Sequence, residues 1–279
     1  MYIIFDIGGT NMRIAVTRDG ESFGEPIVFP TPKMFEEGME LFVRHARILA
    51  NGEKIEGVVG GIAGTLTQDK GTLIASPNLP GWIGNPLRGK LLDLFNVPIY
   101  IENDSAMVGL GEATYGAGRG FDIVAYLTIS TGVGGARIVN GVIDESSNGF
   151  EPGHQIIDPD NSMCPECEGN DLESYISGTA IIKRYGVKPY EITDPKVWDT
   201  LAKFLAYGLN NTIAYWSPHV IVLGGSMMKK IGIPVEGVKK HLREIFRIMP
   251  DVSRVEKATL GDLGGLWGAL AYIKNLKNR

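Results

Sequence analysis

The sequence predicts an α/β fold with two similar domains. Apolar, β-rich runs alternate with helical segments along the chain, which is the pattern of α/β proteins. Residues 2–14 and 126–138 also share four identities and the same order of strand, glycine-rich turn and returning strand. An internal duplication would explain this similarity between the two segments, and chance is the alternative.

The N-terminal half begins with an apolar run at 2–7 that predicts a strand. The turn Gly8-Gly9-Thr10-Asn11 follows, and a returning strand runs from 12 to 16. Residues 34–50 predict a helix because their apolar side chains recur at helical spacing. The other predicted elements of this half are strands at 58–59 and 99–101 and a helix over 105–115.

The C-terminal half repeats the alternation. Strands are predicted at 122–129 and 136–143, the second ending in the hairpin signal Asn140-Gly141. The longest helical pattern covers 197–216, and the buried strand 220–223 follows it. The predicted elements that remain are a helix over 235–248, a strand at 255–260 and a helix over 264–276.

Composition excludes several functional classes. The 279 residues are 44% hydrophobic and 21% charged, as in ordinary soluble globular proteins. A net charge of −5 without basic clusters disfavours nucleic-acid binding, and no run approaches the ~18 apolar residues of a membrane span. Asp6 interrupts the N-terminal apolar run, so we expect no signal peptide. Cys164 and Cys167 are the only cysteines, which favours a reducing cytoplasm.

Glycine is enriched to 37 residues, close to double the usual ~7%. In the segment Asp6-Ile7-Gly8-Gly9-Thr10, a carboxylate at the end of a strand is followed by two glycines, which have no side chains, and then by the hydroxyl of Thr10. Backbone N–H groups of such a turn bind phosphate, and the carboxylate holds Mg²⁺ directly or through water. The alternative is a hairpin whose glycines only supply positive φ.

Two later segments offer the same kind of backbone approach. Ser130-Thr131-Gly132-Val133-Gly134-Gly135 follows a predicted strand, as does Gly224-Gly225-Ser226. The first matches neither the P-loop nor the dinucleotide fingerprint, because a strand rather than a helix follows it. The second suits the nucleoside end of a nucleotide, although Gly-Gly after a strand is common.

Polar side chains at strand ends and in loops are candidates for catalysis and for a polyhydroxy ligand. Asp104 ends a strand and opens a helix, so it is either a general base or a helix cap. Glu151 and His154 lie three residues apart across a turn, Asn78 is in a proline-braced loop, and Glu173 precedes Ser177-Gly178. Ordinary surface polarity is the alternative for these four.

A zinc site is the third candidate. Cys164 and Cys167 form a Cys-x₂-Cys half-site, and His154 is a reachable third ligand. Asp171 or Glu168 would have to be the fourth. The alternative is two reduced thiols in a loop.

Taken together, the motifs resemble those of the ROK family of bacterial sugar kinases. Seven segments carry the resemblance in order over essentially the whole chain: Asp6–Thr10, Ser76–Trp82, Glu102–Asp104, Ser130–Gly135, Glu151–His154, Leu172–Glu173 and Gly224–Ser226. The resemblance implies two ribonuclease-H-like domains of the actin-like ATPase superfamily that flank an active-site cleft. The expected domains are 1–115 plus 264–279, and 116–263.

The resemblance also implies functional roles. Asp104 would deprotonate the sugar 6-hydroxyl, and Asp6 would help position Mg²⁺. The ring hydroxyls would bind Asn78, Asn103, Glu151, His154 and Glu173. The ATP phosphates would lie against Gly8, Gly9, Thr10, Thr131, Gly132 and Gly134, with Gly224, Gly225 and Ser226 near the adenosine. The family also implies a homodimer.

One loop departs from the family pattern. The family's zinc loop carries three cysteines after its histidine, whereas Asp171 stands here in place of the third and Cys167 fits only with a one-residue shift. We therefore expect either that any zinc held by His154, Cys164, Cys167 and Asp171 binds weakly, or that hydrogen bonds hold the loop instead.

The expected activity is ATP-dependent phosphorylation of a hexose, most simply glucose. An N-acetylglucosamine or N-acetylmannosamine kinase, a fructokinase and a sugar-binding protein without catalysis are the alternatives. Sugar-responsive regulators of this family carry an N-terminal winged helix, and we expect this chain not to be one of them because its first phosphate turn starts at Asp6.

Overall fold

The computed structural model describes residues 1–147, 149–247 and 253–278. The chain forms two compact units. The first comprises Met1–Tyr115, Gly141–Gly149 and Leu260–Arg279, and the second comprises Gly116–Asn140 and Phe150–Thr259. Within the described residues, no helix has both the length and the hydropathy that a membrane crossing requires.

The elements alternate along the chain. The strands are β1 (Tyr2–Ile7), β2 (Asn11–Thr17), β3 (Ile27–Pro30), β4 (Gly57–Ile62), β5 (Thr65–Leu66), β6 (Leu73–Ala75), β7 (Ile99–Asn103), β8 (Ile123–Ile129), β9 (Val133–Val139), β10 (Val142–Ile143), β11 (Val220–Gly224) and β12 (Arg254–Lys257). The helices are α1 (Phe35–Ala50), α2 (Leu87–Phe95), α3 (Asp104–Tyr115), α4 (Leu172–Ile176), α5 (Gly178–Tyr185), α6 (Pro195–Trp216), α7 (Val235–Ile245) and α8 (Gly264–Lys277).

The first unit is a sheet with helices on both faces. Its strand order is β3-β2-β1-β4-β7, with β1 antiparallel to β2 and parallel to β4. Alternation along β1 sends Phe5 into the core with α1, where its ring meets Phe42 edge-on at 5.4 Å. Ile4 faces the opposite way and packs with Met107 of α3 and Leu266 of α8. Asp6 is on the Ile4 face.

The second unit repeats this topology. Its strands lie in the order β9-β8-β11-β12, with β8 antiparallel to β9 and parallel to β11. Leu127 of β8 and Leu223 of β11 share a core with Leu205 of α6 and Leu242 of α7. Each unit therefore has a hairpin whose first strand is followed in the sheet by two parallel strands.

The repeat holds for topology but not for the residues that suggested it. Ile7 pairs with Met12 across the first hairpin, and Ile129 pairs with Val133 across the second. The first turn thus has four residues and the second has three. Tyr2 opens β1 whereas Tyr126 is the fourth residue of β8, so their identity does not mark equivalent positions.

Several elements differ from the sequence prediction. Helix α7 ends at Ile245, and the last predicted residue of that helix, 248, lies outside the described residues. Strand β12 is shorter than predicted and begins one residue earlier. The short helices α2, α4 and α5 were not predicted, because five to nine residues give too few turns for a helical pattern to stand out.

Helices α3 and α8 pack through glycine. A Cβ on Gly111 would lie 2.8 Å from both the carbonyl oxygen of Gly264 and the nitrogen of Gly268. We expect Gly111→Ala to lower the free energy of unfolding by about 1–3 kcal/mol, because backbone atoms cannot move aside as a side chain would. Urea denaturation measures this.

Gly89→Ala on α2 is the matched control. A Cβ there meets nothing closer than Pro86, at 3.7 Å. This change should be neutral or should stabilise by up to about 1 kcal/mol, since alanine favours helix over glycine. Equal losses in the two variants would contradict the packing argument.

Candidate active site

Asp6 is a buried carboxylate near the carboxyl end of β1. It pairs in register with Arg13 of β2, and the Arg13 Nη1 to Asp6 Oδ2 distance is 3.2 Å. Gly265 leaves the space that the carboxylate occupies, since a Cβ there would lie 2.8 Å from Asp6 Cγ. Burial is the main cause that raises the pKa of Asp6 to about 6; the charge of Asp104 raises it too, while Arg13 opposes both.

Asp104 follows β7 and is the first residue of α3. Strands β1, β4 and β7 are parallel, and their register sets Asp6, Gly61 and Glu102 level with one another. Gly61 leaves room for the Asp104 backbone, whose Cα would be 3.1 Å from a Cβ on that glycine. Burial raises the pKa of Asp104 above its ordinary value, despite the N–H of Ser105, which donates to Oδ1 at 2.8 Å.

The helix cap at this position is Asn103. Its Oδ1 accepts the N–H groups of Ser105 and Ala106 at 2.8 and 3.2 Å, and its Nδ2 donates to the carbonyl of Gly64 at 2.9 Å. The reading of Asp104 as the cap is therefore wrong. Both ends of the Asn103 amide already have partners within the protein.

The first glycine turn needs its glycines for space. Neither Gly8 nor Gly9 has a positive φ, so the reading that they only supply that conformation is wrong. A Cβ on Gly9 would collide with Asn78 Cβ. Thr31 donates to the carbonyl of Gly8 at 2.6 Å, and Thr10 is exposed.

The loop that carries Asn78 is fastened on both sides. Ser76 Oγ donates to the carbonyl of Ala63 at 2.8 Å, and the buried Trp82 donates through Nε1 to the carbonyl of Pro32 at 2.9 Å. Asn78 itself is exposed beside the first glycine turn. The fixed loop thus presents an amide to solvent next to the predicted phosphate-binding turn.

In the second unit, the turn after β8 is held by the start of α5. The carbonyl of Ser130 accepts the N–H of Gly178 at 2.7 Å, and that of Thr131 accepts the N–H and hydroxyl of Thr179 at 3.2 and 2.9 Å. Sequence reasoning missed Gly178 and Thr179. The signal was present, because Ser177 followed by glycine is a recognisable helix start, and Ser177 does cap α5.

Glu173 of α4 is bound to the same turn. Its Oε2 accepts the N–H of Val133 at 2.6 Å, and a Cβ on Gly132 would lie 2.5 Å from that oxygen. Gly134 is the next glycine and lies within β9. Gly132 therefore leaves space for the Glu173 side chain, in the same way that Gly9 leaves space for Asn78 in the first unit.

The turn after β11 adjoins the turn after β8. Gly224 ends the strand, and Gly225 has φ of +93° and packs so tightly on the Ile129 backbone that a Cβ would not fit. The hydroxyl oxygens of Ser226 and Ser130 are 3.0 Å apart. The second unit therefore brings two of the predicted nucleotide-binding segments together.

His154 lies among three carboxylates in the second unit. Its Nδ1 is 2.9 Å from Asp171 Oδ2, and this hydrogen bond is the main cause that raises the pKa of His154. Glu173, Asp171 and Glu151 raise it further by their charge. Glu151 and His154 are exposed on one short turn. The predicted sugar-binding residues of this unit thus form one cluster.

The arrangement of the predicted ligands does not favour the zinc site. Cys164 and Cys167 are joined in a disulfide, which offers no thiolate to a metal. Asp171, the proposed replacement ligand, instead caps α4 and binds His154, and Glu168 pairs with Lys183. In the described parts of the chain, no group of three His, Cys, Asp or Glu side chains is placed to hold a metal ion. The pairing also removes free thiols as an argument for a reducing compartment.

Comparison with known proteins identifies the family. A family model described as ROK family matches residues 2–276. The chain belongs to the ROK family. An N-acetyl-D-glucosamine kinase from Yersinia pseudotuberculosis is 30% identical, with 96% of this chain and 97% of that protein covered. A glucokinase from Thermotoga maritima is 26% identical, with 96% of each covered.

Solved structures of the ROK family have the same fold. The ROK hexokinase from Thermus thermophilus superposes with a TM-score of 0.84 at 26% identity, covering 100% of this chain and 99% of that one. The predicted α/β, actin-like ATPase fold and the resemblance to ROK sugar kinases are thereby confirmed. The chain is a sugar kinase.

Burial of Asp6 has a testable cost in stability. The native state binds this proton more tightly than the unfolded chain does, because the pKa is raised from 3.8 to about 6. Wild-type stability should therefore fall as pH rises through that interval. Asp6→Asn should stabilise the protein by up to about 3 kcal/mol above pH 6 and by nothing below about pH 4, as measured by urea denaturation.

The exposed residue Asp93 of α2 supplies the control. Asp93→Asn removes the same charge from the surface, so its effect should be small at every pH. A gain in Asp6→Asn that did not change with pH would show that burial of the charge is not its source.

Proposed function

We propose that this chain transfers the γ-phosphoryl group of ATP to the 6-hydroxyl of a hexose, and that the hexose is glucose. The observation that carries the proposal is Asp104, a partly buried carboxylate of raised pKa at the carboxyl end of β7. Among the described residues, only Ser105 donates hydrogen bonds to this carboxylate, through its backbone N–H and its hydroxyl. A carboxylate of raised pKa is a better base for a hydroxyl proton than an ordinary aspartate.

In the proposed reaction, Asp104 accepts the proton of the 6-hydroxyl as the sugar oxygen attacks phosphorus. Transfer is direct, so no residue forms a covalent intermediate. Positioning and neutralisation of charge supply most of the acceleration in reactions of this kind. Asn103 caps α3 and so fixes the backbone from which Asp104 projects.

The residues present fit Mg-ATP. Mg²⁺ takes one or two protein carboxylates together with phosphate oxygens and water, and when bound it neutralises developing phosphate charge. Asp6 supplies such a carboxylate, held in place by Arg13. We propose that Gly8, Gly9, Thr10, Thr131, Gly132 and Gly134 lie against the phosphates, and Gly224, Gly225 and Ser226 near the adenosine.

For the sugar ring we propose Asn78, Asn103, Glu151, His154 and Glu173 as hydrogen-bonding partners. Asn78, Glu151 and His154 are exposed, which supports their role. Asn103 and Glu173 also have partners within the protein, so each would share its polar atoms between the fold and the ligand.

An N-acylhexosamine kinase is the second candidate. The 30% identity to an N-acetyl-D-glucosamine kinase favours it, and the same motifs would serve either substrate. The two differ in the room needed beside the sugar 2-position. Fructokinase activity is a further alternative, favoured by the 30% identity to a putative fructokinase.

Asp104→Asn should lower kcat by about 10²–10⁴-fold, because asparagine cannot accept the hydroxyl proton. The KM for sugar should change little, since the side chain keeps its shape. Release of ADP in the presence of each hexose measures both constants, with Asp93→Asn as the control. Full turnover by Asp104→Asn on every sugar would contradict the assignment of the base.

A panel of sugars separates the substrate candidates. With saturating Mg-ATP, kcat/KM should be highest for glucose among glucose, mannose, fructose, N-acetylglucosamine and N-acetylmannosamine. A site built to hydrogen-bond a sugar group rejects a sugar that lacks this group, because the polar side chains of the site are then left unpaired, so the preference should be clear. A higher kcat/KM for either acylated sugar would select the second candidate.

Cytoplasmic location and a homodimer stay predictions. The location was predicted from the cysteine content and the N-terminal sequence, and the homodimer from the family resemblance.

A further inference from the structure

Asp171 lies between the His154 imidazole and the helix that carries Glu173. One carboxylate oxygen, Oδ2, is 2.9 Å from His154 Nδ1. The other, Oδ1, accepts the N–H and the hydroxyl of Ser174, at 2.9 and 2.5 Å, and so caps α4. Glu173, two residues after Asp171, binds the turn after β8 from this helix. One carboxylate thus orients two of the residues proposed to bind sugar.

The segment between His154 and Asp171 is closed by bonds within the chain. Leu172 donates its N–H to the carbonyl of Gln155 at 3.0 Å, and Ile156 and Asp171 form an antiparallel bridge. The buried residue Asp158 accepts the Met163 N–H at 2.9 Å and the Tyr175 hydroxyl at 2.5 Å. A disulfide closes the Cys-x₂-Cys turn.

We propose that Asp171 is a positioning residue for sugar binding, and that it replaces a metal ion as the support that joins His154 to α4. The proposal rests on the sugar kinase function argued above. In this proposal, Asp171 acts through its hydrogen bonds to His154 and to the start of α4. The side chains of the loop do not fit zinc, because the sulfurs of Cys164 and Cys167 are bonded to each other.

The chemistry of the pair explains why a carboxylate is needed. A carboxylate only accepts hydrogen bonds, so His154 must carry a proton on Nδ1. In the neutral imidazole this leaves Nε2 as an acceptor, which suits a sugar hydroxyl donor. An amide at 171 can still cap α4 through its oxygen, but it then offers an N–H to Nδ1 and reverses the tautomer.

The test compares Asp171→Ala, Asp171→Asn and the control Glu168→Gln, which removes a charge from an exposed residue of the same loop. The sugar is the one with the highest kcat/KM in the panel. Asp171→Ala should raise the KM for that sugar at least about tenfold, as expected for loss of a charge-assisted hydrogen bond. Its KM for ATP should change less than the KM for sugar, because Thr31 holds the first phosphate turn and the start of α5 also holds the second. Glu168→Gln should match the wild type.

Asp171→Asn keeps the helix cap and isolates the contact with His154. It should raise the KM for sugar less than Asp171→Ala does. In a His154→Gln background, Asp171→Asn should have no further effect, since residues acting through one contact are not additive. This variant decides the matter if Asp171→Ala does not fold.

Metal content tests the second half of the proposal. Protein purified without added metal should contain far less than one zinc per chain by elemental mass spectrometry. A zinc-selective chelator in excess Mg²⁺ should leave the KM for sugar unchanged.

Three results would overturn the proposal: an unchanged KM for sugar in both Asp171 variants, an additive effect in the His154→Gln background, or one zinc per chain that chelation removes together with sugar affinity. Failure of the sugar kinase function would be seen separately, as a wild-type protein that phosphorylates no sugar of the panel.

Discussion

The site of the first unit depends on the desolvation of two carboxylates that lie close enough to repel one another. Asp6 and Asp104 project from the carboxyl ends of parallel strands on either side of β4, and burial raises the pKa of each. Gly61 and Gly265 make this burial feasible, because a side chain at either position would occupy the space of a carboxylate or of the backbone that bears it. The arrangement costs stability, which Arg13 offsets in part. It places the proposed base, Asp104, close to the proposed metal-binding carboxylate, Asp6.

The two units reach a similar end by different local means. In each, the turn after the first strand of the hairpin presents bare backbone, and the missing Cβ leaves room for a polar residue proposed to bind sugar. That residue is Asn78 beside Gly9 in the first unit and Glu173 beside Gly132 in the second. The first turn is tied to Thr31 and the second to the start of α5 and to Glu173. Each turn thus lies against a side chain that we propose to bind sugar.

In the loop between His154 and Asp171, hydrogen bonds supply the support that we propose in place of a metal ion. A carboxylate binds an imidazole and a helix N-terminus at once, since its two oxygens accept independently. The cap also lies where the helix dipole favours negative charge. Asp158 gives the same loop a second buried acceptor for backbone and hydroxyl donors. The altered cysteine pattern therefore does not leave the loop unsupported.

The α/β class, the family and the longer helices and strands could be predicted from the sequence alone. They depend on apolar spacing and motifs formed by residues that are close together in the chain. The apolar spacing of α1 and α6 and the strand–turn–strand at Asp6 to Val16 are readable without a partner. The order of the seven motifs predicted the ROK family. Short helices such as α4 were not readable, since their apolar residues are set by what they pack against.

Tertiary structure decided which role each polar residue has. Both Asn103 and Asp104 are chemically able to cap α3, and only the folded backbone shows that Asn103 does so. Cys164, Cys167, His154 and Asp171 have the composition of a metal site, yet the fold bonds the sulfurs to each other and turns Asp171 toward α4 and His154. Spacing along the chain limits which atoms are able to meet, whereas burial and competition among nearby donors determine which of them do.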